Sequence, residues 1–150
     1  MKPMELESGF PEPEAEIDRL AHSVIGAAIE VHRILGPGYL EAVYQKAMEV
    51  ELRLRNIPFK PQRPVDVAYK GYPVGEGYID ILVADCLIVE LKAVDNLAPI
   101  HKAQVISYLR GTGLHLGLLI NFNVALVKNG IQRVILSLAQ PPLSLGNMER

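Results

Sequence analysis

Apolar side chains between residues 18 and 35 recur at helical spacing. Leu20, Val24, Ala27, Ala28, Val31 and Leu35 share one face, the stripe of an amphipathic helix, and Asp18 is its expected N-cap. Gly36-Pro37-Gly38 ends it. A second helix is expected from about 40 to 55, with Val43, Ala47, Val50 and Leu54 as its core stripe and Asn56-Ile57-Pro58 as its stop. From about 59 to 94 the period shifts to that of strands. Val65, Val67 and Tyr69 alternate, Lys70-Gly71 offers a turn, and strands follow over 72–83 and 87–94. Pro99 falls in the first turn of a third helix running through Arg110 and stopped by Gly111-Thr112-Gly113. The run 116–120 reads as a buried strand. Residues 124–127 and 131–138 flank Lys128-Asn129-Gly130, and Asn-Gly is a hairpin signal. The expected order is ααββββαβββ, allowing one weakly marked early strand. Long aliphatic strands imply a sheet covered on both faces, an α/β sandwich.

Length and composition narrow the class. The 150 residues suit one domain with a real core, and 49% apolar with 21% charged residues is a globular profile. Residues 1–15, with Pro3, Pro11, Pro13 and several Glu, read as a flexible N-terminal tail. Residues 140–150 read as a C-terminal one, which leaves 16–139 as the folded domain. No apolar run is long enough for a membrane span, and no signal-peptide core is visible near the N-terminus. Lone Cys86 excludes an internal disulfide or a cysteine zinc site and points to a reducing cytoplasm. Fifteen basic against seventeen acidic residues, a net charge of −2, argues against indiscriminate coating of nucleic acid.

The candidate chemistry lies in the greasiest stretch. Asp80, Glu90 and Lys92 stand where a purely structural strand pair would carry aliphatic side chains. Buried charges of this kind pair with one another or hold a metal. Glu90 and Lys92 are two apart and share a strand face. A three-residue turn, Ala84-Asp85-Cys86, would set Asp80 directly across from Glu90; a two-residue Asp85-Cys86 loop would separate them. Two adjacent carboxylates repel, a divalent cation relieves that repulsion, and oxygen-only ligands favour Mg2+ or Mn2+ over zinc. Such a metal can polarise a phosphoryl oxygen, with Lys92 beside it to offset developing charge. The bland alternative is an ion pair of Lys92 with Asp80 or Glu90 on a solvated sheet face. Gln104 and Tyr108, four apart on the third helix, can touch, and His101 lies three before Gln104. Glu41 and Tyr44 lie on one face at the start of the second helix, where the macrodipole also favours a Glu. No P-loop, HExxH, GxSxG or zinc-ligand spacing is present.

These residues together resemble a known family. Gly38-x-x-Glu41-x-x-Tyr44 is similar to the signature of the GxxExxY proteins, a branch of the PD-(D/E)XK nuclease superfamily. Asp80, then Glu90-x-Lys92, then Gln104-x-x-x-Tyr108 resembles the ordered motifs of its RecB-type nucleases, with Ile79 where the superfamily name has Pro. The flanking Tyr69-Lys70-Gly71, Ser107-Tyr108-Leu109-Arg110 and the run from Gly117 to Phe122 are similar as well. The resemblance implies a restriction-endonuclease-like α/β core, a central mixed β-sheet flanked by α-helices. It implies Glu41, Asp80 and Glu90 as ligands of Mg2+ (or Mn2+), Lys92 as base or charge stabiliser, and Gln104 and Tyr108 as an accessory pair. The resulting reading is a metal-dependent nuclease of the cytoplasm. Its partner is nucleic acid, DNA rather than RNA, with no membrane and with room for a homodimer or partner protein. A basic surface for that substrate is missing: Lys and Arg are scattered, and the one visible cluster, Arg53, Arg55, Lys60 and Arg63, reads as a solvated face. Two alternatives stand beside this reading: a non-catalytic nucleic-acid- or protein-binding module that keeps the fold, and a hydrolase of another phosphate ester.

Overall fold

The two long N-terminal periodic segments fold as helices in the computed structural model, which describes residues 11–136. Helix α1 is Pro11–Leu35 and α2 is Glu41–Leu54. Three strands follow, β1 Phe59–Tyr69, β2 Tyr72–Val83 and β3 Leu87–Lys92, then α3 Pro99–Thr112, β4 Leu116–Asn121, a 3-10 turn Val127–Gly130 and β5 Ile131–Ile135. The strands lie in chain order, β1-β2-β3-β4-β5. Only β3 and β4 run parallel, joined by α3 as the crossover that a parallel pair requires.

The mixed sheet is covered on both faces, as its continuous aliphatic strands require. Ile81, Val83, Val89, Leu91, Leu118 and Ile120 pack under α1 and α2. Leu82, Ile88, Leu119 and Val134 pack under Val105 and Leu109 of α3. Tyr44 anchors the first layer. Its ring stacks on Phe122 with centroids 4.6 Å apart, its hydroxyl donates to the Gly36 carbonyl, and it accepts from Tyr39 N–H at 3.2 Å. That ties the Gly36–Tyr39 loop, and with it the start of α2, to the sheet. No helix among the described residues is long and apolar enough to cross a membrane.

Several sequence expectations are corrected. Helix α1 begins at Pro11, so 11–15 of the expected tail is helical and Asp18 lies inside the helix, paired with Arg133 instead of capping. The rest of that tail, and 140–150, fall outside the described residues. The sheet-facing side of α2 is Tyr44, Gln45, Met48, Glu49 and Leu52, about one position round from the expected stripe; Leu54 is 73% exposed. Counting apolar residues misled because two polar ones face inward: Gln45 Nε2 donates to Glu49 Oε2 and to the Asp80 carbonyl, both at 2.9 Å. Segment 59–69 is one strand although it holds Pro61 and Pro64. It lies at the sheet edge, where a missing N–H can face outward. The Asn129-Gly130 hairpin is absent, since 127–130 is a 3-10 turn and β5 pairs with β4 instead. A Cβ at Gly130 would stand 2.3 Å from the Asn121 carbonyl oxygen, so this glycine serves a close backbone approach.

Candidate functional site

The β2–β3 turn decides how the charged residues meet. Ladder pairs Ile81↔Val89, Leu82↔Ile88 and Val83↔Leu87 leave the three-residue turn Ala84-Asp85-Cys86, with Ala84 and Asp85 at positive φ. Continuing that register sets Asp80 opposite Glu90, yet the backbone ladder stops one step short. The side chains take over. Asp80 N–H donates to Glu90 Oε2 and Leu91 N–H donates to Asp80 Oδ2, each at 2.8 Å. One oxygen of each carboxylate is thereby held, which leaves the other to a further donor or a cation.

The β1 side is irregular at the same level. Gln62, across from Asp80, has φ +50° and is skipped in the β1–β2 ladder. Ile79 and Leu82 both pack under α3, whereas Ile81 and Val83 face the other way. The two-residue alternation slips by one around Asp80, so the sheet bends there and the pleat opens.

Burial and repulsion govern the charges. Glu90 is 3% exposed. Burial first, then the neighbouring Asp80 carboxylate, pushes its pKa from 4.5 up to about 8, against the pull of Asp80 N–H and Lys92. Asp80 is raised as well, chiefly by burial, and held back by Leu91 N–H, Lys92 and the Gln62 and Glu90 side chains. The pair therefore shares a proton when no cation is present. Glu41, the first residue of α2, is raised by burial while Lys92 lowers it and Asp80 raises it. It belongs to the same electrostatic neighbourhood without closing a cage. Among the described residues no three Asp, Glu, His or Cys side chains are drawn together tightly enough to hold a metal. The donor chemistry still fits a hard divalent cation: two neighbouring oxygen-only groups, Glu90 buried and Asp80 partly so, whose mutual repulsion a positive charge would relieve.

Lys92 forms none of the ion pairs found among the described residues. Its Nζ donates instead to Gln104 Oε1 at 3.5 Å, and Gln104 Nε2 donates to the Tyr108 hydroxyl at 3.3 Å. Tyr108 in turn accepts from Tyr78 N–H at 3.4 Å. A polar chain thus runs from Lys92 across α3 to β2. His101 is not part of it: its Nδ1 accepts Ala98 N–H at 2.9 Å and closes the first turn of α3. The sequence-derived set therefore divides into Asp80 and Glu90 in contact, Lys92, Gln104 and Tyr108 linked in series, and Glu41 nearby on the opposite helix layer.

Four supporting residues escaped the sequence reading. Gln45 holds the Asp80 carbonyl, and Gln62 faces its carboxylate. Asn121, 2% exposed, accepts Val94 N–H at 3.0 Å and donates to the Val94 carbonyl at 2.9 Å, clamping the chain just beyond Lys92. Gly77 is the one that left a sequence signal, a glycine inside a strand pattern. A Cβ there would meet Tyr108 Cε1 at 2.7 Å. Gly77→Ala is expected to displace the Tyr108 ring and, through it, Gln104. The expected stability loss is about 1–3 kcal/mol, read by urea denaturation, and Tyr108→Ala in the same chain should recover most of it. A Gly77→Ala protein as stable as wild type would mean that the ring does not rest on this strand.

A family model described as the PD-(D/E)XK nuclease superfamily matches residues 18–134. No curated protein and no solved structure matches the chain.

Proposed function

Because the chain belongs to the PD-(D/E)XK nuclease superfamily, we propose that it is a Mg2+- or Mn2+-dependent nuclease of DNA centred on Asp80, Glu90 and Lys92. The observation that carries the proposal is the three-residue β2–β3 turn. It lets each acid bond the other strand's backbone, Glu90 accepting Asp80 N–H and Asp80 accepting Leu91 N–H, two residues from a lysine that forms no ion pair among the described residues. A purely structural pairing would have matched that lysine to one of the acids, which is the cheaper way to bury charge.

Asp80 and Glu90 are the residues that would hold the divalent cation, with Glu41 on α2 as a third acid in their electrostatic neighbourhood. Bound there, it supplies Lewis-acid polarisation of the phosphodiester. Lys92 donates from Nζ to the phosphoryl oxygens and offsets the negative charge that grows as water attacks phosphorus and the ester oxygen leaves. Gln104 fixes the direction of that ammonium, and Tyr108 fixes Gln104. Gln45 holds the Asp80 backbone within β2 and Asn121 holds the chain just beyond Lys92, so the reacting groups need little rearrangement. The inward-turned Tyr44 and the tied loop before Glu41 support the GxxExxY branch in particular. Lone Cys86 supports a cytoplasmic setting. The exposed apolar residues Val50 and Leu54 of α2, with Leu40 just before it, support a partner surface, such as a second copy.

Incubation of the purified chain with labelled single- and double-stranded DNA and with RNA is the direct test. Cleavage of DNA is expected with Mg2+ or Mn2+ and is expected to fall to background in EDTA. Binding without cleavage under every metal condition would return the chain to the binding-module reading.

A further inference from the structure

The β1–β2 hairpin continues well beyond the helices that cover the sheet. Its two-residue turn, Lys70-Gly71, has both residues at positive φ, the geometry of a tight hairpin turn. Alternation along β1 puts Arg63, Val65, Val67 and Tyr69 on one face, since the register shift after Val67 leaves its extra residue, Val74, on β2. The pairings Val65↔Gly77, Val67↔Gly75 and Tyr69↔Tyr72 place the two glycines and Tyr72 on that face too. This is the face that α3 covers, but only partway: Val65 packs against the helix and Tyr108 lies on Gly77. Past that point the face is open, with Val67 46% exposed beside Gly75. A Cβ at Gly75 would meet nothing within 4 Å, and Tyr69 and Tyr72 stand side by side at 62% and 73% exposure.

Charge is segregated between the two faces. Asp66 and Glu76 pair on the opposite face, where Tyr78 donates its hydroxyl to Glu76 at 2.8 Å. The tyrosine face carries Arg63 and, at the tip, Lys70, whose Nζ sits 5.4 Å from the Tyr69 ring centroid. Aromatic rings beside cations, glycines opposite Val65 and Val67 in the floor, and Asp66 and Glu76 turned to the other face are the features that suit stacked bases and phosphates. The track is continuous with the candidate site through Tyr108, Gln104 and Lys92. Eight strand steps separate Tyr72 from Asp80, about 26 Å.

We infer that this face of the hairpin is a path for single-stranded nucleic acid, with Tyr69 and Tyr72 as a stacking platform that leads a strand across Gly75 and past the Tyr108 ring to the Asp80–Glu90–Lys92 site. The inference rests on the nuclease reading for its direction but not for its test, since binding needs no turnover. A duplex is a poor fit because its bases are not free to stack on the rings.

The chain holds six tyrosines and no tryptophan, so stacking can be followed directly by quenching of tyrosine emission. Oligothymidylates of about 4 and about 12 nucleotides are titrated in EDTA. The longer one is expected to quench and to bind more tightly than the shorter. In Tyr69→Ala/Tyr72→Ala its affinity is expected to fall at least about 10-fold, while Tyr69→Phe/Tyr72→Phe keeps it and duplex affinity does not change. Tyr78→Ala, on the opposite face, is the control and should bind as wild type. Equal affinity in the double alanine variant overturns the path, as does an equal loss in Tyr78→Ala. A change confined to sedimentation, with oligonucleotide affinity intact, would overturn it in favour of a protein contact. Tyrosine-dependent binding without any cleavage would refute the nuclease and spare the path; cleavage with tyrosine-independent binding would do the reverse.

Discussion

Lys92→Met is expected to lower turnover on DNA by about 10²–10³-fold while leaving the fold and most of the substrate affinity in place. The reasoning starts from position. Lys92 is half-buried and shares a strand face with Glu90, and among the described residues its ammonium donates to a neutral amide. Methionine keeps the length and the packing of the stem but removes the donor and the charge. The loss therefore falls on the step in which charge builds on the phosphoryl oxygens, and kcat should drop far more than KM changes. Arginine is not a conservative replacement here, because a planar fork in place of a compact ammonium cannot keep the same contact with Gln104 Oε1. Asp80→Asn should be as damaging for a different reason. The amide oxygen can still accept Leu91 N–H, so the strand pair survives, but the charge that would attract a cation is gone. Gln104→Ala should cost less than either, since it removes orientation and leaves the charge. Lys92→Met cleaving at the wild-type rate would refute the assignment of the site, however well the family match holds.

The metal-free protein is expected to lose stability as pH rises from about 5 to about 8. Glu90 has a folded pKa of about 8 against 4.5 for an unburied glutamate. Below 4.5 the group is protonated in both states and its contribution to stability is complete. Between the two values the unfolded chain releases the proton while the folded chain keeps it, so unfolding is increasingly favoured; above about 8 the loss is complete. The raised Asp80 acts in the same direction. The size should be on the order of 3 kcal/mol, taking 1.36 kcal/mol per unit and some relaxation of the site. Urea midpoints in EDTA between about pH 5 and pH 9 would read it. Glu90→Gln should flatten the profile and exceed wild type at the alkaline end, because glutamine can still accept Asp80 N–H without the repulsion. Excess Mg2+ should restore the wild-type midpoint near pH 8, by binding the folded state alone. A flat wild-type profile in EDTA would mean that the two carboxylates are not pressed together. The site thus appears as a place where stability is given up for a cation-binding charge.

The helices around the site were legible because their signals are local. Gly36-Pro37-Gly38 stops α1, Pro99 opens α3 and Gly113, at φ +77°, closes it. The Lys70-Gly71 turn and the strands on either side of it were equally plain. Failures came where a neighbour outweighed local preference. Asn129-Gly130 has the composition of a hairpin turn, but β5 had a better partner in β4. Val43, Val50 and Leu54 form a clean apolar stripe, yet the helix turned Gln45 and Glu49 inward because each could satisfy the other and the Asp80 carbonyl as well.

Residue types and their order along the chain determined which groups are available for chemistry: two acids and a lysine embedded in aliphatic strands, a glutamine and a tyrosine one helical turn apart, and a glutamate at a helix start. Those facts are covalent and survive any folding. The tertiary structure alone decided which of them touch. Whether Asp80 meets Glu90 depends on a single residue in a turn, because a strand shifted by one step sends every side chain to the other face. It was likewise the packing of α3 on the sheet that linked Lys92 to Gln104 in place of an acid. Such choices are made by the balance of burial and hydrogen bonding across distant segments, and no local pattern carries that balance.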